Sequence, residues 1–384
     1  MEFRPPTEVI RYEDPVEGFR GYVAFSGDGH RLAAGGFRVQ PGLTEDTIVR
    51  LAQAMELKER LLGLAVDGAK AGIDYDPRAP RKREAMRRFL EFLRPCLLDR
   101  LSLGPDMGTA WSEIEGIAHQ IGIPSVKVAV AGAQGLDHAD FLARIGLLDV
   151  AVDGATLGER RAGHALAHAT LGAIEAAGLS GRDVRVGIQG FGTLGRATAM
   201  ALTEAGVTPT AVTDEHTCVH CYDDVPDGEV PADVAPPQRL LELPLDVLVL
   251  AACEDALNAE RAARLEASVV VAGANLAISP PVERLLHERG VLVVPDFVGG
   301  CGGSASMDAL FGPPTCPTVT EVLDALGTRM RTLVATVFAI AGDRGITPRE
   351  AAVSMCERPV APGKPYGRWQ PAGPARSPAL AARG

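Results

Sequence analysis

The thirteen residues "GIQGFGTLGRATA", 187–199, restrict the fold more than any other stretch of the chain. Gly190, Gly192 and Gly195 stand in a G-x-G-x-x-G pattern, with Phe191, Thr193 and Leu194 between them. An apolar run, "VRVGIQ", precedes the pattern and an Ala-rich amphipathic stretch follows it. In that strand-turn-helix context each glycine has its own task. Gly190 allows the tight turn, Gly192 lets a pyrophosphate approach the backbone, and Gly195 permits close packing of the helix. Asp214 ends the next apolar run, 24 residues after Gly190, where a carboxylate accepts hydrogen bonds from ribose hydroxyls. Asp214 and Glu215 would repel a 2′-phosphate, which favours NAD; His216 leaves NADP open.

The surroundings extend this unit into a domain. From about residue 155, strand-like runs ("VRVGIQ", "TPTAVTD", "LDVLVLAA", "SVVVAGAN", "VLVVPDF") alternate with helical ones ("NAERAARLEA", "PPVERLLHERG"). That alternation predicts a parallel, doubly wound sheet of Rossmann type. The first 150 residues read differently. Short strands around Gly and Pro come first, then a helix capped by Thr44 with Ile48, Leu51, Ala52 and Met55 on its apolar face. A glycine loop holding Lys70 follows, then a helix over about 82–94 and the loop "GPDMGT", with Trp111 opening the next helix.

The expected organisation is an α/β substrate domain over 1–150, a dinucleotide domain over 151–310, C-terminal helices packing back across both over 311–360, and a disordered or surface-laid tail over 361–384. Within the third part, a long helix is predicted over about 318–342 and a shorter one at "TPREAAVSM".

A formal net charge of −11 argues against nucleic acid or an anionic membrane as partner, and favours a small molecule. No apolar run reaches the roughly 18 residues that span a bilayer, and the first residues lack the apolar core of a signal peptide; a cytoplasmic protein is expected. Seven cysteines form no disulfide framework. Cys218 and Cys221, near His216 and His220, have no second ligand pair, so a polar loop and no metal are expected there.

Lysine is scarce: of 38 basic residues only five are lysine. Arginine stays protonated, whereas a desolvated lysine can lose its proton, so a retained lysine in "DGAKAGIDYDP" invites a chemical reading. Taken with "GGFRVQP", "MELK", "GPDMGT", "GFGTLG", "VAGAN" and "VPDFVGGCGG", this segment resembles the glutamate/leucine/phenylalanine/valine dehydrogenase family over about residues 20–310. The resemblance implies NAD(P)-dependent oxidative deamination of an L-amino acid to a 2-oxo acid and ammonia, or the reverse, in a homo-oligomer. It implies that Lys58 binds the substrate α-carboxylate, that Lys70 is the catalytic amine and that Asp106 exchanges protons with the substrate nitrogen. Gly36 would lie against the substrate, and Asn275 beside the nicotinamide. The residue types suit the chemistry, because a base must activate the water that attacks the iminium carbon, and a lysine tuned to a pKa of roughly 7–8 does so near neutral pH.

The chain departs from the family pattern at several positions. Glutamate-using relatives carry a lysine immediately before the "GG" of the first motif, where this chain has Ala34. Met307, or Ser306 with a shift of one residue, falls near the side-chain pocket. These two positions predict a non-glutamate, apolar substrate, with Arg31 or another residue as the alternative source of charge. Ala162, Ala272 and Cys301 replace usual family residues, and Asp67 would keep Lys70 protonated if close. Such changes leave two rivals: a 2-imino or 2-oxo acid reductase of a specialised pathway, and a silent dinucleotide-binding paralogue.

Overall fold

The segment that holds Lys70 is a strand, not the glycine loop that its composition suggests. A computed structural model describes residues 5–180, 183–216, 218–220 and 236–367. Its first sheet contains β1 (Glu8–Glu13), β2 (Arg20–Ser26), β3 (Leu32–Val39), β4 (Val66–Ile73) and β5 (Leu101–Pro105), in the order β1-β2-β4-β3-β5. The pairs β1/β2 and β2/β4 are antiparallel, and β3 runs parallel to both β4 and β5. Lys70 therefore sits on an inner strand, opposite Gly36 of β3.

The glycines of β4 are explained by what lies on them. Helix α1 (Glu45–Leu61) starts where the Thr44 side chain accepts from the Thr47 N–H. The sequence predicts an amphipathic surface helix, yet Gln53, Glu56, Lys58 and Glu59 are buried with the apolar face. The reason is tertiary: α1 packs on β2 and β4 and is also covered by two later helices, Asp296–Gly299 and Pro348–Cys356. A Cβ at Gly68 would stand 2.2 Å from the Glu56 nitrogen and 2.3 Å from the Ala52 oxygen, so glycine lets helix and strand touch backbone to backbone.

Helices α2 (Lys82–Phe92), α3 (Arg94–Asp99), α4 (Trp111–Gln120), α5 (Ala129–Gln134) and α6 (His138–Gly146) complete the first half. Pro95 opens α3 rather than only closing α2. A hairpin of two-residue strands, β6 (Ala151–Val152) and β7 (Ala155–Thr156), leads into α7 (Leu157–Ala176).

The second sheet contains β8 (Val186–Gln189), β9 (Ala211–Thr213), β10 (Cys218–His220), β11 (Val247–Leu250), β12 (Val269–Ala272) and β13 (Leu292–Val294), ordered β10-β9-β8-β11-β12-β13. All neighbours are parallel except β10, which pairs antiparallel with β9. The segment expected as a polar loop thus supplies an edge strand, because Cys218 is buried against β9; Cys221 lies outside the described residues. Its helices are α8 (Thr193–Glu204), α9 (Ala259–Arg264), α10 (Pro280–Glu288), α11 (Asp296–Gly299), α12 (Gly302–Phe311), α13 (Val319–Arg344) and α14 (Pro348–Cys356). The architecture is mixed α/β: an N-terminal α/β part, a doubly wound Rossmann-type sheet, and C-terminal helices.

One apolar cluster joins the two sheets. It runs from Leu32 and Val66 through Leu166 and Met307 to Val186, Val247 and Val269. The start of the expected tail belongs to this packing too. Tyr366 is buried, its N–H donates to Gln134 Oε1 at 3.1 Å, and the Gly367 N–H donates to Asp308 Oδ1 at 2.7 Å. Residues 368–384 lie outside the described residues. Among the described residues no helix is long and apolar enough to cross a membrane.

The contact between α1 and β4 leads to a stability prediction. Gly68→Ala forces a methyl into backbone atoms and is expected to cost about 1–3 kcal/mol, read from urea unfolding. A loss under about 0.5 kcal/mol, the scale of an ordinary surface change, would show that α1 can withdraw.

Candidate active site

The glycine turn has the geometry its spacing implies. Gly190 adopts φ +97°, a value that favours glycine, and its N–H donates to the Thr213 oxygen at 2.8 Å. A Cβ at Gly195 would lie 1.8 Å from the Gly190 oxygen, so the first turn of α8 can close only on glycine. Gly192 is exposed with nothing within 4 Å of its Cβ position, and no side chain caps α8. The N–H groups at the start of α8 have no side-chain cap and lie at the C-terminal end of β8, where the sheet reverses its winding; they could hold a pyrophosphate. Phe191, Thr193 and Leu194 complete the turn, and the Phe191 oxygen accepts from Arg196 Nε at 2.9 Å. Asp214 follows β9 directly, half-buried, its Oδ1 accepting from the His216 N–H at 2.7 Å.

A cluster of charges on the first sheet is bonded to the loops that follow β11 and β12, at the sheet end that carries this turn. Parallel pairing places Gly36 beside both Lys70 and Gly104, and paired residues project to one face. Asp106 follows the end of β5 on the same side. Its Oδ2 lies 2.6 Å from Lys70 Nζ and 2.8 Å from Arg38 Nε. A Cβ at Gly36 would be 3.0 Å from both the Asp106 Cβ and Lys70 Nζ, so the missing side chain is what brings amine and carboxylate together. Lys58, from the last turns of α1, donates to Asn275 Oδ1 at 2.6 Å. Asn275 follows β12, so this bond spans from the first half of the chain to the second. Arg38 Nη1 does likewise, donating to Glu254 Oε1 at 3.1 Å.

The electrostatics follow from burial. Lys70 is 2% exposed, and desolvation pulls its pKa below the ordinary lysine value. The Asp106 charge opposes that shift, and the Arg38 charge assists it. Lys58 is lowered in the same way, first by burial, with Asp296 opposing and Lys70 adding to the fall. Burial works against ionisation of Asp106, but the charges of Lys70 and Arg38 outweigh it and hold this carboxyl well below the usual range.

Several expectations change in the light of this arrangement. Asp67 does not act on Lys70. Its carboxylate accepts from the Asp28, Gly29 and His30 N–H groups and from His30 Nδ1 at 2.7–3.1 Å, which ties it to the β2–β3 turn. Cys301 is fully buried beside Met330 Sδ at 3.7 Å, and burial pushes its thiol up to about 12, which makes it a packing residue. Ala34 and Met307 belong to the same apolar cluster, while the Ser306 hydroxyl is held by Arg161 at 2.7 Å. Ala162 is half-buried at the start of α7, and Ala272 is buried at the end of β12.

Sequence reasoning missed Arg38 and Glu254, although Arg38 stands two residues after Gly36 and strand alternation puts both on one face. It also passed over Lys127, another of the five lysines, whose scarcity was the available signal.

A dinucleotide-type turn opposite a buried amine and carboxylate defines the class of amino acid dehydrogenases. The profile described as Glutamate/Leucine/Phenylalanine/Valine dehydrogenase matches residues 154–361, and that of the Glu/Leu/Phe/Val dehydrogenase dimerisation domain matches residues 6–122. The chain belongs to this family. Glutamate dehydrogenase B of Halobacterium salinarum is 30% identical over 330 residues, spanning 78% of this chain and 72% of the relative. The hetero-hexameric glutamate dehydrogenase of Thermus thermophilus, in its Leu-bound form, superposes with a TM-score of 0.75 at 27% identity, covering 91% of this chain and 87% of that one. L-tryptophan dehydrogenase of Nostoc punctiforme shares the fold, with a TM-score of 0.61 at 18% identity over 92% and 95% of the two chains.

The coupling of Lys70 to Asp106 can be measured directly. Because Asp106 raises the Lys70 pKa, Asp106→Asn is expected to move that pKa further down. Side-chain NMR titration is simplified by having only five lysines to assign. An unchanged or higher Lys70 pKa in the variant would show that the two groups do not interact.

Proposed function

We propose that the chain catalyses NAD(P)-dependent oxidative deamination of an L-amino acid, and its reversal, in the cleft between Lys70 and the 190–195 turn. The observation that carries this reading is the 2.6 Å contact of Lys70 Nζ with Asp106 Oδ2 across Gly36, opposite the nucleotide turn. In this reading residues 1–150 form the substrate side, 151–310 the nucleotide side, and 311–360 helices that pack across both.

The N–H groups of Gly192, Thr193 and Leu194 would hold the pyrophosphate of the cofactor, and the Asp214 carboxylate would accept from a ribose hydroxyl. Asp214 and the neighbouring Glu215 favour NAD over NADP. When bound, the nicotinamide accepts a hydride from the substrate Cα. The chain's own groups do the rest. Lys58 holds the α-carboxylate with Asn275 beside it, which fixes Cα over Gly36. Asp106 takes a proton from the substrate ammonium, so that the nitrogen is a neutral amine when the hydride leaves Cα. Lys70, acting in its neutral form, takes a proton from the water that attacks the iminium carbon and returns it to the carbinolamine nitrogen; as ammonia leaves, the hydroxyl proton passes back to the Lys70 amine. Once Lys70 is neutral, one of the two charges that suppress proton uptake by Asp106 is gone, so the pair can pass protons in turn.

Ala34 and Met307 give the side-chain pocket apolar walls. Assembly as a homo-oligomer is part of the proposal, supported by the dimerisation-domain match over residues 6–122 and by the hexameric relative. Light scattering is expected to show several protomers per particle; a monomer at working concentration would remove this part.

Lys70→Ala is expected to lower kcat by about 10² to 10⁴, the usual worth of a general base, with dinucleotide affinity kept. Absorbance of reduced nicotinamide and a separate binding titration read the two effects. Turnover equal to the wild type would take the role from Lys70. Dinucleotide binding by the unaltered chain without turnover of any L-amino acid would favour a silent paralogue.

A further inference from the structure

Beyond the deamination machinery the cleft contains two buried cations with no counter-ion. Gly104 of β5 is the register partner of Gly36 of β3. A Cβ at Gly36 would lie 3.0 Å from Lys70 Nζ, and one at Gly104 would lie 3.8 Å from Lys127 Nζ. Paired strand residues project to one face, so the Lys127 amine stands on the same face of the sheet as Lys70, beside neighbouring positions that carry no side chain.

Lys127 is 4% exposed. Among the described residues no carboxylate or other acceptor touches its amine, and the Trp111 ring faces it at 5.8 Å. Burial pushes the amine down to about 7 and the Arg161 charge pushes the same way; Glu115 and Glu59 oppose from beyond contact. Glu115 is engaged by Ser125 Oγ and the Val126 N–H, each at 3.0 Å. Glu59 accepts from Ser304 Oγ.

Arg161 is 8% exposed, on the first turns of α7. Its Nη1 donates to the Gly303 oxygen at 3.1 Å and to Ser306 Oγ at 2.7 Å, and its Nε has no partner. Among the described residues it pairs with no carboxylate, and burial lowers its pKa to about 10. Ser306 adjoins Met307 at the apolar wall.

A buried, unpaired charge is costly, and two that reinforce each other are costlier. They also lie apart from the group assigned to the α-carboxylate. Lys58 is bonded to Asn275 and lies 3.3 Å from the Cβ position of Gly300, whereas Lys127 stands by Gly104 of β5.

We propose that Lys127 and Arg161 anchor the end of the substrate side chain, and that the amino acid deaminated here carries an anionic group there, in the simplest case a carboxylate. The proposal rests on the deamination reading above. It replaces the expectation of an apolar, non-glutamate substrate, which weighed positions 34 and 307 alone. Ala34 and Met307 flank the aliphatic part of the side chain, and its charged tip is held from the β5 side instead of from position 34.

The test compares L-amino acids with carboxylate-tipped side chains of increasing length against leucine, methionine and phenylalanine, for the wild type and for Lys127→Met and Arg161→Gln. Calorimetry with the matching 2-oxo acids and the reduced cofactor runs in parallel. The wild type is expected to favour a carboxylate-tipped substrate. Lys127→Met should cut its kcat/KM relative to the apolar set by about 30-fold or more, mainly through KM, since one partner of a buried charge pair is removed. The same variant should raise Tm, because it removes an uncompensated buried amine, whereas loss of a purely structural lysine contact would lower it.

Wild-type preference for apolar side chains, or an unchanged preference ratio in both variants, would overturn the anchor and leave deamination standing. Absent turnover with every amino acid, but Lys127-dependent binding of a dicarboxylic 2-oxo acid, would support the anchor and overturn deamination. Should Arg161→Gln fail to fold, Lys127→Met alone decides.

Discussion

The Asp106 carboxylate is the hub on which the site depends. Two cations converge on one of its oxygens, Lys70 at 2.6 Å and Arg38 at 2.8 Å. Without that negative charge, an amine and a guanidinium would be buried side by side with only Glu254, on Arg38, to offset them. Gly36 makes the contact possible, and the strand order that places β3 between β4 and β5 makes Gly36 the neighbour of both chains' ends. A lysine inside a strand of an inner sheet is tolerated because its amine emerges at a gap left by glycine.

The two halves of the chain are bound together by polar ties as well as by their shared core. Lys58 reaches Asn275 and Arg38 reaches Glu254, each bond joining the first sheet's elements to a loop after a strand of the second. These loops follow β11 and β12, the same sheet end that presents the glycine turn after β8. Charge on the substrate side is thereby held in register with the place where a dinucleotide fits. The burial of α1 on all sides belongs to the same construction, since α11 and α14 close over the face that its sequence marks as polar.

Much of this was legible beforehand. The strands and helices of the second half follow their hydrophobic periods, and Thr44 caps its helix as expected. Lys58, Lys70 and Asp106 stand out by residue type and order. The misreadings share one cause. "VDGAKAGI" looks like a loop because its glycines were read as flexibility, when Gly68 admits helix α1 and Gly72 makes room for Leu43 and Ile48. Asp67 looked like a partner of Lys70 because it is near in sequence, yet the pleat turns side chains three positions apart to opposite faces.

The sequence by itself determined the period of each element, the nucleotide turn and the residue types able to carry acid–base chemistry, because these depend on neighbours a few positions away. Only the tertiary structure decided which charges meet. Whether a lysine is paired, as at 70, or left without a counter-ion, as at 127, depends on strand register and helix packing between residues tens to hundreds of positions apart, and no local pattern encodes those distances.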